Sequence, residues 1–169
     1  MDRGTYLEID GRPAVRFTRR FPHPIERVWA AVTDPEGLRH WFPSRVSYEP
    51  RVGGEIAFTG DPNAGPATGR VLALDPPHRF CFSWAADELR LELRAEGSDA
   101  CTLTLTNILE AKDAAARNAA GWHVCLGELA RSLDGADGTS PHGGAAQPWR
   151  PLYEAYLADG LPSGAHIPA

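Results

Sequence analysis

Six histidines, three cysteines and 22 acidic residues are the side chains through which this 169-residue chain could bind a metal or move a proton. His23, His40, His78, His123, His142 and His166 are scattered, and none forms an HExxH pair or the close Cys/His spacing of a zinc site. Each reads as a surface or hydrogen-bonded structural histidine. His40 beside Trp41 and His123 beside Trp122 are the two that could reach a pocket mouth. Cys81, Cys101 and Cys125 form no CxxC and have apolar neighbours, so buried, reduced thiols are expected. Gly53-Gly54 and Gly143-Gly144 belong to no phosphate-binding loop, and no GxSxG elbow offers a serine nucleophile. The expectation is no metal, no cofactor and no catalytic residue.

Acid–base chemistry would need a titratable group aimed into a cavity, and strand parity decides what is aimed inward. Leu89, Leu91 and Leu93 alternate with Arg90, Glu92 and Arg94, as Cys101, Leu103 and Leu105 do with Thr102, Thr104 and Thr106. One face is thereby buried and the other wet. Ile56 with Phe58, and Phe80 with Phe82 and Trp84, extend the apolar face, while Glu55 and Arg79 fall outside. Every inward position is apolar. Asp87, Asn107 and Asn118 are the nearest polar candidates, and caps or turn bonds explain them equally well.

The elements that position these residues follow from periodicity. Residues 13–21 form a strand with Val15, Phe17 and Phe21 on one face, after a short edge piece from Tyr6 to Ile9. Pro24 opens a helix whose Ile25, Val28, Trp29 and Val32 stand at i, i+3, i+4 and i+7. Asp34-Pro35 stops it and starts a second helix through Leu38, Trp41 and Phe42. Short strands around turn-rich loops then make an antiparallel meander. A long helix is predicted from Lys112 to Leu133, with Ala115, Ala119, Trp122, Leu126, Leu129 and Leu133 on its apolar face. Gly121 in its interior suggests a neighbour approaching the backbone closely, with a tolerated accident as the alternative.

Residues 134–148 are rich in glycine, contain no large apolar side chain and read as a linker. A tail, 149–169, carries a helix from Trp149 to Leu157 with Trp149, Leu152, Tyr153 and Tyr156 near one face. Such a face needs cover, by docking back on the fold or by pairing with a second copy as a homodimer. The organisation is thus one domain over 1–133, a linker and a tail.

Composition is that of a globular protein, 43% hydrophobic and 23% charged. A formal net charge of −5 argues against nucleic acid as a partner. Met1-Asp2-Arg3-Gly4 lacks a signal-peptide core, and no run approaches the ~18 apolar residues of a membrane span, so a soluble, cytoplasmic protein with no membrane partner is expected.

An ordered set of motifs carries a resemblance. It comprises Phe21-Pro22-His23-Pro24-Ile25-Glu26-Arg27-Val28-Trp29 through Asp34-Pro35, then Trp41-Phe42, Val52-Gly53-Gly54-Glu55 and Gly69-Arg70-Val71. Asp75-Pro76-Pro77-His78-Arg79-Phe80, Trp84, and Gly121-Trp122 leading into Leu126 and Leu129 complete it. Over residues 13–133 the chain resembles the START-like (SRPBCC, helix-grip) superfamily, in the bacterial branch named after the activator of Hsp90 ATPase. The resemblance implies an α+β helix-grip fold. A curved antiparallel sheet of about seven strands would have two short helices after the first strand and a long C-terminal helix across it, with a pocket between. The superfamily includes lipid carriers, hormone receptors, allergens and aromatase/cyclases, so fold does not settle function.

The function expected is binding of a small hydrophobic or aromatic molecule, with Trp41, Phe58, Phe82, Trp84, Leu91, Leu105, Trp122 and Leu126 lining the pocket. A cyclase/dehydratase-type enzyme and a protein-interaction module of the Hsp90-activator kind are the alternatives. The full eukaryotic activator has a large additional N-terminal domain, and only about twelve residues stand before the first strand here, which weighs against the last.

Overall fold

The computed structural model describes residues 2–168. Strands β1 (Thr5–Ile9) and β2 (Arg12–Phe21) form a hairpin. Its two turn residues, Asp10 and Gly11, have φ of +50° and +76°, the left-handed pair that matches the twist of a tight hairpin. Helices α1 (Ile25–Thr33) and α2 (Pro35–Leu38) follow, with Pro24 as the first N-cap. Then come β3 (Arg45–Tyr48), β4 (Glu55–Thr59), β5 (Ala67–Asp75), β6 (Arg79–Trp84), β7 (Asp87–Ala95) and β8 (Cys101–Ile108). A 3₁₀ turn over Lys112–Ala114 leads into α3 (Ala115–Leu133), and α4 (Trp149–Ala158) is the last helix.

All sheet neighbours are antiparallel, in the order β1-β2-β8-β7-β6-β5-β4-β3. This is the helix-grip architecture, with eight strands rather than seven because the edge piece at the N-terminus pairs fully with β2. Inward parity runs as the alternation dictates. Leu89, Leu91, Leu93, Leu103 and Leu105 are buried, and Glu92 and Arg94 are exposed. Thr106 departs from it. It lies on the outer face yet is fully buried, because its cross-strand neighbours Arg16 and Arg90 lie over it and Arg16 Nε donates to its hydroxyl at 3.1 Å.

Three local expectations are corrected. Helix α2 ends at Leu38, so Trp41 and Phe42 sit in the following turn, their N–H groups donating to the Leu38 carbonyl at 3.2 and 2.8 Å. Pro43 disfavours helix at the residue before it. The long helix begins at Ala115, its first three expected residues winding as a 3₁₀ turn instead. A methyl group on Gly121 would meet nothing within 4 Å, so no neighbour approaches that backbone.

Helix α3 is covered on more than its sheet-facing side. Ala116, Ala120, His123, Val124, Cys125 and Glu128 are buried too. One cover is α4, which buries Leu152, Tyr153 and Tyr156 and is fastened by an Arg3–Asp159 ion pair of 2.6 Å. The other is the stretch between the helices. Thr139 is buried there, the Ser140 N–H donates to Glu128 Oε2 at 3.1 Å, and His142 Nε2 lies 2.8 Å from the Pro43 carbonyl oxygen. Among the described residues no helix is long and apolar enough to cross a membrane.

Candidate functional site

Five aromatic rings meet, from the turn after α2 (Phe42), β4 (Phe58), β6 (Phe82 and Trp84) and α3 (Trp122). Phe42 is the centre, with its ring centroid 5.2 Å from Trp84, 5.6 Å from Trp122 and 6.1 Å from both Phe58 and Phe82. The outer rings also touch one another: Phe58–Trp84 at 5.3 Å, Phe58–Phe82 at 5.8 Å and Trp84–Trp122 at 5.8 Å. Such stacked, tilted and edge-on pairs each add about 0.5–1.5 kcal/mol beyond area burial. Four of the five rings are buried, and Trp84 alone is part-exposed, so it stands at the rim.

The chain builds this cluster with a glycine and a tight turn. A methyl group on Gly69 would lie 1.8 Å from the Ser83 carbonyl oxygen and 3.3 Å from the Phe58 ring, so only glycine lets β5 run this close to β6 beneath Trp84. At the β6–β7 turn Ala85 has φ +52°, an uncommon conformation for alanine, and its N–H donates to the Thr68 carbonyl at 3.0 Å. The turn sets Trp84 directly across from Asp87.

Asp87, Asn107 and Asn118, scattered in the sequence, come together at Trp122. The Asn107 Oδ1 accepts the Trp122 indole N–H at 3.0 Å and the Asn118 amide at 3.1 Å. Its Nδ2 donates to Asp87 Oδ2 at 3.0 Å, and the other Asp87 oxygen accepts the Glu110 N–H at 2.9 Å. The network fixes the indole's orientation and leaves its own central carboxamide satisfied on both sides.

Of the eight residues expected to line a pocket, Phe58, Phe82, Trp84 and Trp122 belong to the cluster. Trp41 lies behind it, against Phe42 at 5.7 Å, with its indole N–H donating to the Ala31 carbonyl at 2.9 Å. Leu91 and Leu105 are cross-strand partners on the inner face, and Leu126 is fully buried on α3, one turn beyond Trp122. Phe42, the ring that joins the others, is absent from that set. It stands beside Trp41 in the sequence, but a helix through both residues would point it elsewhere than the turn does. These side chains lie between sheet and helix, all but Trp84 buried. Two hollows open instead on the outside, one beside Ser47, Ala57 and Thr68, the other between α2 and β3 beside Glu36, Arg39 and Arg45.

His40 is exposed, whereas His123 points away from the cluster, with Nδ1 2.8 Å from the Tyr156 hydroxyl. Burial first, then the charges of Arg19 and Arg3, push the His123 imidazole down to about 4. Burial raises the Cys81, Cys101 and Cys125 thiols, which disfavours their reactive thiolates. Among the described residues no three His, Cys, Asp or Glu side chains are grouped to hold a metal.

A family model described as activator of Hsp90 ATPase homolog 1-like protein matches residues 22–134. The chain belongs to this family. The family match runs from just after β2 to Asp134, so it covers α1 through α3 with strands β3 to β8, and leaves β1, β2 and α4 outside. CalU16 from Micromonospora echinospora is 25% identical, with a TM-score of 0.72 over 93% of this chain and 96% of its own. DynU16, a protein of the dynemicin biosynthetic locus, is 27% identical with a TM-score of 0.63, over 72% of this chain and 47% of its own. A conserved protein of unknown function from Enterococcus faecalis, 15% identical, shares the fold at a TM-score of 0.72 over 92% of this chain and 89% of its own. No curated protein matches significantly.

Proposed function

We propose that this protein binds a small hydrophobic or aromatic molecule between the sheet and α3, at the cluster centred on Phe42. The observation that carries the reading is the arrangement of five rings with a part-exposed tryptophan at the rim and a second one pinned by Asn107. A flat apolar guest enters by displacing Phe42, which sits in a turn rather than in a helix or strand, and takes its place against Trp84 and Trp122. The rigid Asn107 network holds the far wall in place while the near wall moves.

The polar groups at the cluster favour binding over catalysis. Asp87 is the one carboxylate in the Asn107 network, and both its oxygens already accept hydrogen bonds. General acid–base chemistry wants at least one titratable group free to face the substrate. DynU16 adds a setting, since a biosynthetic locus is a place where a binder of small molecules has a use.

The test is a panel of flavonoids, fatty acids and polycyclic aromatics, read by tryptophan emission and melting temperature. At least one class should quench emission and raise the melting temperature, by an amount equivalent to about 2.7 kcal/mol at 100 times its Kd. Trp84→Ala should weaken that response at least tenfold in Kd. A panel without any response, or a response unchanged in Trp84→Ala, overturns the proposal.

A further inference from the structure

On the opposite flank of α3, beneath α4, an arginine is buried with no counter-ion among the described residues. Arg19 shares the parity of Val15, Phe17 and Phe21 on β2 and so points inward, where it is 7% exposed. Its guanidinium lies over the Phe17 ring at 5.3 Å, and Nη1 donates to the Thr18 carbonyl at 3.1 Å. Nε and Nη2 are buried and have no partner among the described residues. These two nitrogens form one edge of the guanidinium, with parallel N–H groups spaced to grip two oxygens of a carboxylate or phosphate side-on.

We propose that Arg19 is a binding site for an oxyanion, a carboxylate or phosphate group held by Nε and Nη2 under the N-terminal segment and α4. A buried charge with an open bidentate edge is costly unless that edge is filled. Tyr156 is occupied by the Gly4 N–H at 2.8 Å and by His123 at 2.8 Å, so neither ring offers Arg19 an acceptor. The nearest carboxylate acting on Arg19 is that of Asp2, which continuation of the Thr5↔Arg16 register sets opposite it. Asp2 is exposed and makes no bond to the guanidinium. Residues 2–4, which precede β1, are fastened by the Arg3–Asp159 pair and the Gly4 N–H.

The experiment follows the Arg19 Nε–Hε resonance of the full chain in chloride buffer while inorganic phosphate or acetate is added, alongside the melting temperature. Binding predicts a saturable shift of that resonance and a saturable rise in melting temperature with at least one of the two anions. Arg19→Gln should fold, since it removes an unpaired buried charge, and should lose the anion-dependent rise. If Arg19→Gln does not fold, the resonance titration of the unmodified chain decides alone. An unmoved Arg19 resonance up to 100 mM of either anion overturns the proposal, as does an equal thermal response in Arg19→Gln.

Discussion

Acidification places a proton on His123 at the expense of the folded state, and the structure sets how much. The Tyr156 oxygen accepts the Gly4 N–H, so the Tyr156 hydroxyl hydrogen is left for His123 Nδ1, which must be the unprotonated nitrogen. A second proton on the ring turns Nδ1 into a donor facing a donor, in a buried site that Arg19 and Arg3 already make positive. The imidazole titrates at about 4 when folded and at 6.5 when free. A folded-state value below the unfolded one means the unfolded chain takes up the proton first, so stability is intact above pH 6.5 and falls as pH drops towards 4. At 1.36 kcal/mol per pH unit the full loss is about 3 kcal/mol, of which about 2 kcal/mol has gone by pH 4.5. Carboxylates contribute their own pH dependence, so the informative quantity is the difference between the natural chain and His123→Gln. Urea denaturation at pH 7 and at pH 4.5 should show the natural chain losing about 2 kcal/mol more than the variant. Equal losses, or an imidazole that titrates near 6.5 by NMR in the folded protein, would refute the reasoning.

Four other outcomes follow from the packing. Leu91→Ala, at a fully buried position on β7, should cost about 2–5 kcal/mol by urea denaturation, against about 0.5 kcal/mol or less for Arg94→Ala, exposed on the outer face of the same strand. Gly121→Ala should raise stability by about 0.5–1 kcal/mol, because the methyl group meets nothing and the helix gains propensity. Gly69→Ala should lower the melting temperature sharply and alter the Trp84 emission, since its methyl would overlap the Ser83 carbonyl. Removal of residues 134–169 uncovers the groups against which Leu152, Tyr153 and Tyr156 are buried and should cost about 5 kcal/mol or more, measured by calorimetry.

Sheet and site were legible in the sequence to different depths. Alternation on β7 and β8 is a local signal, and it specified which leucines face α3. Arg19 obeys the same alternation beside Phe17 and Phe21, yet its charge turns attention to the outer face, and nothing nearby in sequence reports that α4 will cover it. The Asn107 network joins residues 11 to 20 positions apart, a juxtaposition created by the β7–β8 register and the placement of α3. Residues 134–148 lack the apolar content that signals packing. They are nonetheless held against the fold by polar contacts to Glu128 and Pro43, partners that composition cannot name.

The central claim, that a hydrophobic guest lodges at the Phe42 cluster, is tested most directly by NMR contacts between a bound aromatic probe and leucine methyl groups. With the strongest binder of the panel at saturation, the account predicts nuclear Overhauser contacts from the probe to Leu126, Leu91 or Leu105 and to the Trp84 and Trp122 rings. Contacts confined to the outer hollows, at Ala57, Thr68 or Val46, would contradict it.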